Sequence, residues 1–450
     1  MKNKKVLSLL ISGILGFHLF LLFNMKFTAW PEMLLWPYLW LHGILPYKDV
    51  AIVHTPLLLM KLAVFYKLFG VGILQLKIFT WLLVIFTDFL LYFVVTKLWG
   101  RKVALASLIT FVLWQIFFDG NGLWFELLMI PLSLLFFYFV SIKKYFWAGM
   151  FWALMFFTKQ TAAFFLIPIG LQILKDKENA IQRLAKFIYG GLLILTLFLI
   201  IIFTSHVLPN FYYWSIDFGI FVLPRASGQI QLPDLKSLLV AILPFGIFLP
   251  LLFNKKIRNV DLILWAFVGC LGAYPRFEYF HFQPAIPFLA IASGTVLTEI
   301  NKNQITKIFI SIYVLGSLYL FFNYFIQNWG EGTRFYEQDV VDVSFYVSKN
   351  TNSGDKIFVM NWWDNIYALT NTFPATNPLV PQLSWYQEIP GIQDKEVKDL
   401  EKSKPKLIIL QDYADSGLAS YVPQKVYSYV ITNYKLKEKI DGIEIMIPNK

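Results

Sequence analysis

Long apolar runs recur along residues 1–327 and are separated by short polar stretches. A membrane-spanning helix needs about 20 mostly apolar residues. About eleven segments meet or approach that length, and the fifth and sixth are the shortest of them. The pattern therefore predicts a polytopic α-helical membrane protein with about eleven transmembrane helices. The predicted spans are residues 6–25, 74–98, 103–118, 123–142, 145–158, 161–174, 187–205, 236–253, 259–274, 283–299 and 306–326.

The end of the chain has a different pattern, in which short apolar runs alternate with charged stretches. Runs of this length bounded by polar turns are typical of strands in a small mixed sheet. We therefore predict a small soluble α/β domain over residues 328–450, after a transmembrane domain over residues 1–327. The predicted elements are strands at residues 356–360, 407–410 and 442–447 and a short helix at residues 365–371.

Composition and charge agree with this division. Of all residues, 57% are hydrophobic and 15% are charged, and the mean hydropathy is +0.59, which is typical of a membrane protein. The C-terminal part holds 16 acidic and 13 basic residues, so the membrane part carries a charge of +14. Basic residues accumulate in cytoplasmic loops, so this excess indicates membrane orientation rather than nucleic-acid binding. The C-terminal part contains no glycine-rich phosphate loop, so its sequence does not indicate a nucleotide site.

The basic clusters also predict the orientation. The chain begins with MKNKK and an apolar run without a small-residue cleavage site after it, which indicates an uncleaved first span with a cytoplasmic N-terminus. The protein is then predicted in the cytoplasmic membrane of the cell, with an extracytoplasmic C-terminal domain. The clusters on the inner side are residues 101–102, 143–144, 175–186, 255–258 and 302–307.

Acidic residues of the membrane part collect at the predicted outer ends. Carboxylates held against lipid are costly unless they bind or react with something. The first outer loop, residues 26–75, places Glu32, Asp49 and His54 among tryptophans, tyrosines and prolines. It is the leading candidate for an active site. The acids at or near outer ends are Glu32, Asp49, Asp119, Glu126, Asp217, Asp234 and Glu278.

One chemistry that needs no nucleotide at such a surface is transfer of a sugar from a polyprenyl-phosphate carrier. The departing phosphate is a stable anion, so the site needs a carboxylate to take the acceptor's proton and cations to hold the phosphate. Glu32 and Asp49 are the two candidate bases. Arg276, Lys159 and His281 are the candidate phosphate ligands, since Arg offers a bidentate contact and Lys a point charge.

Two segments resemble a known family. The first outer loop carries the pattern G-x-x-P-Y-x-D, then H-x-P, then a leucine-rich helix that ends in Phe-Gly. With the preceding span and acid, it resembles the first outer loop of the C-type superfamily of integral membrane glycosyltransferases, which includes protein O-mannosyltransferases and the bacterial aminoarabinose transferase of lipid A. The segment YPRFEYFHFQPAIP, residues 274–287, is similar to a late outer motif of bacterial members. The loop residues are Gly43, Pro46, Tyr47, Asp49, His54, Pro56, Phe69 and Gly70.

The resemblance covers the whole chain and implies a polyprenyl-phosphate sugar donor, contacts with membrane lipids, and a lipid, glycan or protein acceptor. It departs from the family at one point. Members usually carry an acidic pair after the first span, whereas this chain has Pro31 and Glu32. Either Glu32 or Asp49 is therefore the expected base.

Further polar residues remain candidates for substrate binding, each beside a simpler structural explanation. Asp119 and Asn121 lie in an ordinary turn sequence. Asp88, within the second span, is expected to make a polar contact between helices. The single cysteine, Cys270, can form no intramolecular disulfide. No metal site is predicted, although metal dependence stays open. The substrate-binding candidates are Tyr47, His54, Asp119, Asn121, Glu126 and Glu278.

Two other classes of function fit the sequence less well. A transporter or flippase for a lipid-linked sugar also needs many spans, but such proteins tend to show paired halves and charges at the membrane midplane. A scaffold whose outer domain binds a partner would need no acids in the membrane loops. The acids collect on one side, and this distribution favours an inverting glycosyltransferase over both of these classes.

Overall fold

The computed structural model describes residues 2–175, 177–226, 228–253, 260–299, 304–414 and 421–449. A helix lies at each of the eleven predicted spans, because each apolar run is long enough to bury its backbone polar groups in helical hydrogen bonds. The helices up to the last span are α1 (Lys2–Asn24), α2 (Pro31–Leu41), α3 (Leu57–Phe69), α4 (Ile73–Trp99), α5 (Arg101–Phe117), α6 (Phe125–Ser141), α7 (Tyr145–Phe156), α8 (Leu166–Lys175), α9 (Ala180–Thr204), α10 (Leu208–Phe211), α11 (Leu235–Ile242), α12 (Leu249–Phe253), α13 (Val260–Cys270), α14 (Ile286–Glu299) and α15 (Gln304–Asn328).

Several of these helices are joined by tighter or wider helical turns. A π-helix, Tyr212–Val222, continues α10. The 3-10 helices are Gln160–Phe165, Lys177–Asn179, Leu223–Arg225, Leu243–Phe248, Leu271–Ala273 and Tyr279–Ala285.

In the described part of the chain, six helical stretches are long and apolar enough to cross a membrane by themselves. The protein is thus a polytopic helical membrane protein, while the exact number of spans stays a prediction. The stretch Tyr279–Thr298 is central, since 94% of its apolar window is buried, whereas Lys307–Asn328 is peripheral, with 11% buried. The other four stretches are Lys5–Asn24, Ile73–Trp99, Ala180–Thr204 and Leu235–Leu252.

Small residues set the closest helix crossings. A Cβ atom on Gly149 of α7 would lie 1.9 Å from the Phe187 carbonyl oxygen, and one on Gly190 of α9 would lie 1.9 Å from that of Phe146. Only glycine fits at either position. Close backbone approach of this kind is a common way to pack helices in lipid, where the hydrophobic effect offers little.

The segment predicted as a large first outer loop is largely helical. It contains α2 and α3, and α2 begins at Pro31, a residue favoured in the first turn of a helix. Eight of its residues are buried, from Pro31 to Leu39. Residues 26–75 therefore form a packed layer at one end of the helix bundle rather than an open loop.

The C-terminal part contains a five-stranded sheet with the order β4-β3-β5-β7-β6. β3 pairs in parallel with β4 and β5, whereas β7 runs antiparallel to β5 and β6. The predicted strands at β3, β5 and β7 and the predicted helix at α17 are confirmed. The strands and remaining helices are β1 (Phe27–Thr28), β2 (Thr333–Arg334), β3 (Lys356–Met360), β4 (Phe373–Pro374), β5 (Leu407–Gln411), β6 (Tyr434–Ile440), β7 (Ile443–Pro448), α16 (Gln338–Asn350), α17 (Ile366–Thr370), α18 (Ser384–Gln387), α19 (Ile392–Ser403) and α20 (Gln424–Asn433).

The edge strand β6 was not predicted. Its sequence, YKLKEKI, is charged, and six of its seven residues are exposed or half-buried. Lysines on an edge strand prevent pairing with other chains, and they also remove the alternation of apolar and polar residues by which a strand is recognised.

Backbone hydrogen bonds join the C-terminal part to the first outer segment. β1 pairs in parallel with β2. The Ala51 N–H donates to the Leu379 carbonyl over 2.9 Å, and the Leu379 N–H donates to that of Asp49 over 2.8 Å. The Tyr38 hydroxyl donates to the Thr372 carbonyl over 3.3 Å. The C-terminal part therefore rests directly on the layer that contains both candidate bases, Glu32 and Asp49.

Candidate active site

One end of the helix bundle gathers most of the predicted site residues. α1 ends there, α6 begins there, and the 3-10 helix that leads into α14 also begins there. Ring contacts hold these segments together, because the Trp30 ring lies 5.2 Å from the Trp124 ring and 5.3 Å from the Phe280 ring. The folded chain thus brings distant segments to one site, with Glu32 two residues beyond Trp30 and His281 beside Phe280.

Glu126 is the centre of a buried cluster of ionisable groups. Its Oε1 contacts both Lys159 Nζ and His281 Nδ1, and these two nitrogens lie 3.3 Å apart. The three residues are 1%, 7% and 8% exposed. A buried cation needs a compensating anion, and Glu126 supplies it. Glu126, predicted only as a candidate for substrate binding, thus lies against two of the predicted phosphate ligands, Lys159 and His281.

His54 faces this cluster from the first outer segment. Its ring lies 4.2 Å from the Phe125 ring. The Tyr47 hydroxyl donates to the His54 carbonyl over 3.0 Å, and Gln160 Nε2 donates to the Val53 carbonyl over 2.6 Å, so the backbone here is held from two sides. Burial, and then the charge of Lys159, lower the pKa of His54 to about 3. Its imidazole is therefore neutral.

Glu32 lies in the first turn of α2 and has an unpaired oxygen. Its Oε2 is buried and has no hydrogen-bond partner. Burial raises the pKa of Glu32 to about 7. Burial, and then the Glu32 carboxylate, raise the pKa of Asp364 to about 8. A second carboxyl group, from the C-terminal part, therefore lies close to the first candidate base.

The second candidate base, Asp49, is engaged on both oxygens. Its Oδ2 accepts from the Leu45 N–H over 2.8 Å, and its Oδ1 accepts from Asn377 Nδ2 over 3.0 Å. These bonds close the turn after α2 and tie it to the C-terminal part. Asp49 is thus satisfied by the protein itself.

Arg276 is half-buried at the edge of the site. Its guanidinium lies 5.7 Å above the Trp385 ring, and its Nε lies 3.6 Å from Glu278 Oε1. A paired bridge to Gln231 holds its backbone. At 31% side-chain exposure, Arg276 remains accessible to a ligand. The positive charge of Arg276 also acts on His281.

Asp119 and Asn121 occupy the turn between α5 and α6. The Tyr324 hydroxyl donates to Asp119 Oδ1 over 3.0 Å, and burial raises the pKa of Asp119 to about 6. The Asn121 amide donates to the Met25 carbonyl over 2.8 Å and accepts from Trp81 Nε1 over 3.0 Å. Asn121 thereby caps the end of α1, outside the Glu126 cluster.

Two charged residues at this end were not predicted as site residues. Asp364 follows the carboxyl end of β3, the place where sites form on parallel strands, and it stands beside two tryptophans in the sequence WWDN. That position was the signal that could have identified it. Arg334 lies 5.6 Å above the Trp30 ring. Nothing in its local sequence indicates this, because β2 has only two residues.

Within the described residues, no group of three or more His, Cys, Asp or Glu side chains is placed to hold a metal ion. Glu32 and Asp364 offer two carboxylates, whereas a hard divalent cation takes six or more oxygen ligands in most sites. Any such cation would have to complete its shell with substrate or water oxygens.

Comparison with known proteins defines the class of fold. No protein-family model matches the chain, and no curated protein matches its sequence. Solved structures do match, and they show the fold of this chain. The resemblance to the C-type superfamily is confirmed at the level of the fold.

Two proteins carry this comparison. ArnT from Cupriavidus metallidurans in the apo state is 12% identical, with a TM-score of 0.66 over 99% of this chain and 98% of that chain. ArnT bound to undecaprenyl phosphate gives 12% identity and 0.68 over 98% and 97%. The archaeal oligosaccharyltransferase AglB from Archaeoglobus fulgidus, in complex with an inhibitory peptide and a dolichol-phosphate, is 11% identical, with 0.54 over 100% and 75%.

Proposed function

We propose that the protein transfers a sugar from a polyprenyl-phosphate carrier to an acceptor hydroxyl, with inversion, at the outer face of the cytoplasmic membrane. The observation that supports this most is that Glu32, a carboxylate with an unpaired oxygen, lies at the same end of the bundle as the cations Lys159 and Arg276. The chain shares its fold with ArnT, one structure of which contains bound undecaprenyl phosphate.

Glu32 is the base in this proposal. Its Oε2 is buried and unpaired, whereas both oxygens of Asp49 accept hydrogen bonds from the protein. A carboxylate that is already hydrogen-bonded is a weaker base. Glu32 therefore takes the proton of the acceptor hydroxyl, and the acceptor oxygen attacks the anomeric carbon of the sugar.

The phosphate leaves from the face of the sugar opposite the attacking acceptor oxygen. The bond between the anomeric carbon and the phosphate oxygen breaks as the new bond forms, and its electron pair leaves with the polyprenyl phosphate. Arg276 is the primary phosphate ligand, because its guanidinium is half-exposed and matches phosphate in a bidentate contact. Lys159 contributes a positive charge and His281 a ring nitrogen to the phosphate side, and both are held in place by Glu126.

α18 connects the two sides. Its Trp385 lies against Arg276. Burial, and then the nearby Glu32 carboxylate, raise the pKa of the neighbouring Tyr386 phenol. The base and the phosphate ligand are thus supported by adjacent residues. An in-line attack by the acceptor oxygen, opposite the leaving phosphate, gives inversion at the anomeric carbon of the sugar.

The test is release of undecaprenyl phosphate by the purified full-length chain in nanodiscs, supplied with a panel of undecaprenyl-phosphate hexoses and pentoses. Glu32→Gln should lower the rate by about 100-fold to 10,000-fold, the usual contribution of a general base. Glu401→Gln, on the exposed face of α19, is the matched control and should keep the wild-type rate.

Two outcomes would contradict the proposal. One is a wild-type protein that releases no undecaprenyl phosphate from any donor of the panel. The other is movement of intact donor across proteoliposomes without release, which is the behaviour of a flippase.

A further inference from the structure

His54 is the one partly exposed residue of an otherwise enclosed stretch. Of residues 50–59, nine are buried and His54 alone is half-buried. The next residue, Thr55, is tied to the bundle, because its hydroxyl donates to the Phe156 carbonyl over 2.8 Å. Within this stretch, the imidazole of His54 is therefore the side chain that reaches accessible space.

Three side chains hold the backbone around His54. Gln160 Nε2 donates to the Val53 carbonyl over 2.6 Å and to the Ser215 carbonyl over 2.9 Å. The His54 carbonyl accepts from the Tyr47 hydroxyl over 3.0 Å and from the Ser215 hydroxyl over 3.3 Å. Ser215 belongs to the π-helix, a wide helical turn that is frequent at functional sites. Hydrogen bonds from three separate segments thus set the position of the imidazole.

The ring nitrogens of His54 are left unused by the described part of the protein. Both hydrogen bonds that His54 makes with described side chains end on its carbonyl oxygen. Neither ring nitrogen is enclosed without a partner, as Glu32 Oε2 is. Burial, and then the charge of Lys159, keep the pKa of His54 far below neutral pH, and a neutral imidazole offers one N–H donor and one acceptor nitrogen.

A hydroxyl group matches this pair of nitrogens better than a phosphate group does. A hydroxyl both donates and accepts hydrogen bonds, whereas the oxygens of a phosphodiester anion only accept. The cations Lys159 and Arg276 already serve the phosphate in the proposed reaction. In a polyprenyl-phosphate sugar, the hydroxyl groups belong to the sugar ring.

An aromatic ring beside His54 suits the apolar face of a sugar. Trp124 is half-buried, and its ring lies 5.7 Å from the His54 ring and 5.2 Å from the Trp30 ring. The face of an indole is electron-rich and attracts the polarised C–H groups of a sugar ring. Because Trp30 precedes Glu32 by two residues, Trp124 contacts both His54 and the segment that carries the proposed base.

Resting on the function proposed above, we propose that His54 and Trp124 form the subsite for the donor sugar, in which the Trp124 indole stacks on the sugar ring and the His54 imidazole hydrogen-bonds one of its hydroxyl groups. His54 is then a specificity-determining residue. The subsite adjoins the phosphate ligands, because the charges of Lys159 and Glu126 act on His54. The contact is non-covalent and changes no bond of the donor.

The first test compares a donor that the wild-type chain uses with its monodeoxy analogues, each lacking one hydroxyl group. Wild type should lose about 10-fold to 100-fold in kcat/KM at the one position that His54 contacts, since the loss leaves a half-buried polar group unpaired. His54→Leu should lose a similar factor with the parent donor and should no longer distinguish that one analogue from it.

Further variants separate the contact from a general loss of structure. His54→Gln keeps a donor and an acceptor and should retain part of the discrimination, so it carries the test if His54→Leu does not fold. His206→Leu, the same change at an exposed histidine, should keep the wild-type pattern. Trp124→Leu should lower kcat/KM for the parent donor and all analogues by a similar factor, because stacking does not depend on one hydroxyl group.

The second test measures binding without turnover, in the Glu32→Gln background and with full-length protein in nanodiscs. Adding His54→Leu should weaken binding of the undecaprenyl-phosphate sugar by about 10-fold to 100-fold. Binding of undecaprenyl phosphate alone should stay unchanged, since the contact is with the sugar. This comparison separates a sugar ligand from a phosphate ligand.

Two results would overturn the sugar subsite and leave the proposed function standing. One is an active His54→Leu variant that discriminates against every deoxy analogue as wild type does. The other is an equal loss of affinity for undecaprenyl phosphate and for the sugar-linked donor. A wild type that releases no undecaprenyl phosphate from any donor contradicts the proposed function itself, and the binding comparison still decides whether His54 contacts the sugar.

Discussion

Two clusters of buried ionisable groups differ in position and surroundings. Between α1, α4 and α5, the His18 ring contacts Asp88 Oδ2 over 2.7 Å and Gln115 Oε1 over 3.0 Å, and all three residues are fully buried. At the end of the bundle, Glu126 contacts Lys159 and His281 beside the half-buried His54. The first cluster is enclosed by helices, while the second faces groups that remain partly accessible.

The His18 cluster serves helix packing, whereas the Glu126 cluster lies at the candidate active site. The His18 cluster joins three helices, and Gln115 Nε2 passes the connection to the Gly120 carbonyl over 2.8 Å. The polar helix contact predicted for Asp88 is confirmed. In lipid such contacts fix helix pairs. The Glu126 cluster instead lies near the half-buried Arg276, whose charge acts on His281.

The largest expected effect is loss of the Glu126 charge. Glu126→Ala leaves Lys159 buried without a counter-ion, which should lower the free energy of unfolding by about 3–5 kcal/mol. The double variant Glu126→Ala/Lys159→Met should recover most of that stability but not the activity. Thermal unfolding in detergent and undecaprenyl phosphate release measure the two quantities. A double variant as unstable as the single one would contradict a compensating ion pair.

The enclosed cluster should behave in the opposite way. His18→Leu leaves Asp88 without its partner and should cost about 1–3 kcal/mol. In His18→Leu/Asp88→Leu the activity and most of the stability should return, because no buried charge is left unpaired and only the Gln115 Oε1 atom loses its partner. The same two assays apply. A stable double variant without activity would show that the His18 cluster takes part in the reaction.

The smallest expected effect concerns Asp49, the acid that the sequence could not separate from Glu32. Asp49→Asn should keep turnover, because both Asp49 oxygens serve the turn after α2 and the contact with Asn377. Its cost should be limited to about 0.5–1.5 kcal/mol of stability for one weakened hydrogen bond. A loss of turnover as large as that of Glu32→Gln would move the role of the base to Asp49.

Much of the molecule was predictable from local patterns. The helices at the predicted spans follow from runs of apolar residues, and β3, β5 and β7 follow from short apolar runs between polar turns. The collection of Glu32, Lys159 and His281 at one end follows from the alternation of basic loops, because each of them stands near an end of a span on the same side. All of these properties are carried by neighbouring residues, so the sequence contains them directly.

The tertiary structure alone decided which groups meet. It joined Glu126 to Lys159 and His281, and it engaged Asp49 in hydrogen bonds. It also brought Asp364 near enough to Glu32 that burial, and then the Glu32 carboxylate, raise the pKa of Asp364. Such contacts depend on how helices and a sheet pack across large separations in sequence, and no local periodicity or charge pattern encodes them. The sequence therefore determined the end at which the polar residues collect. The packing determined that, of the two candidate bases, Asp49 is bonded on both oxygens while Glu32 keeps an unpaired one.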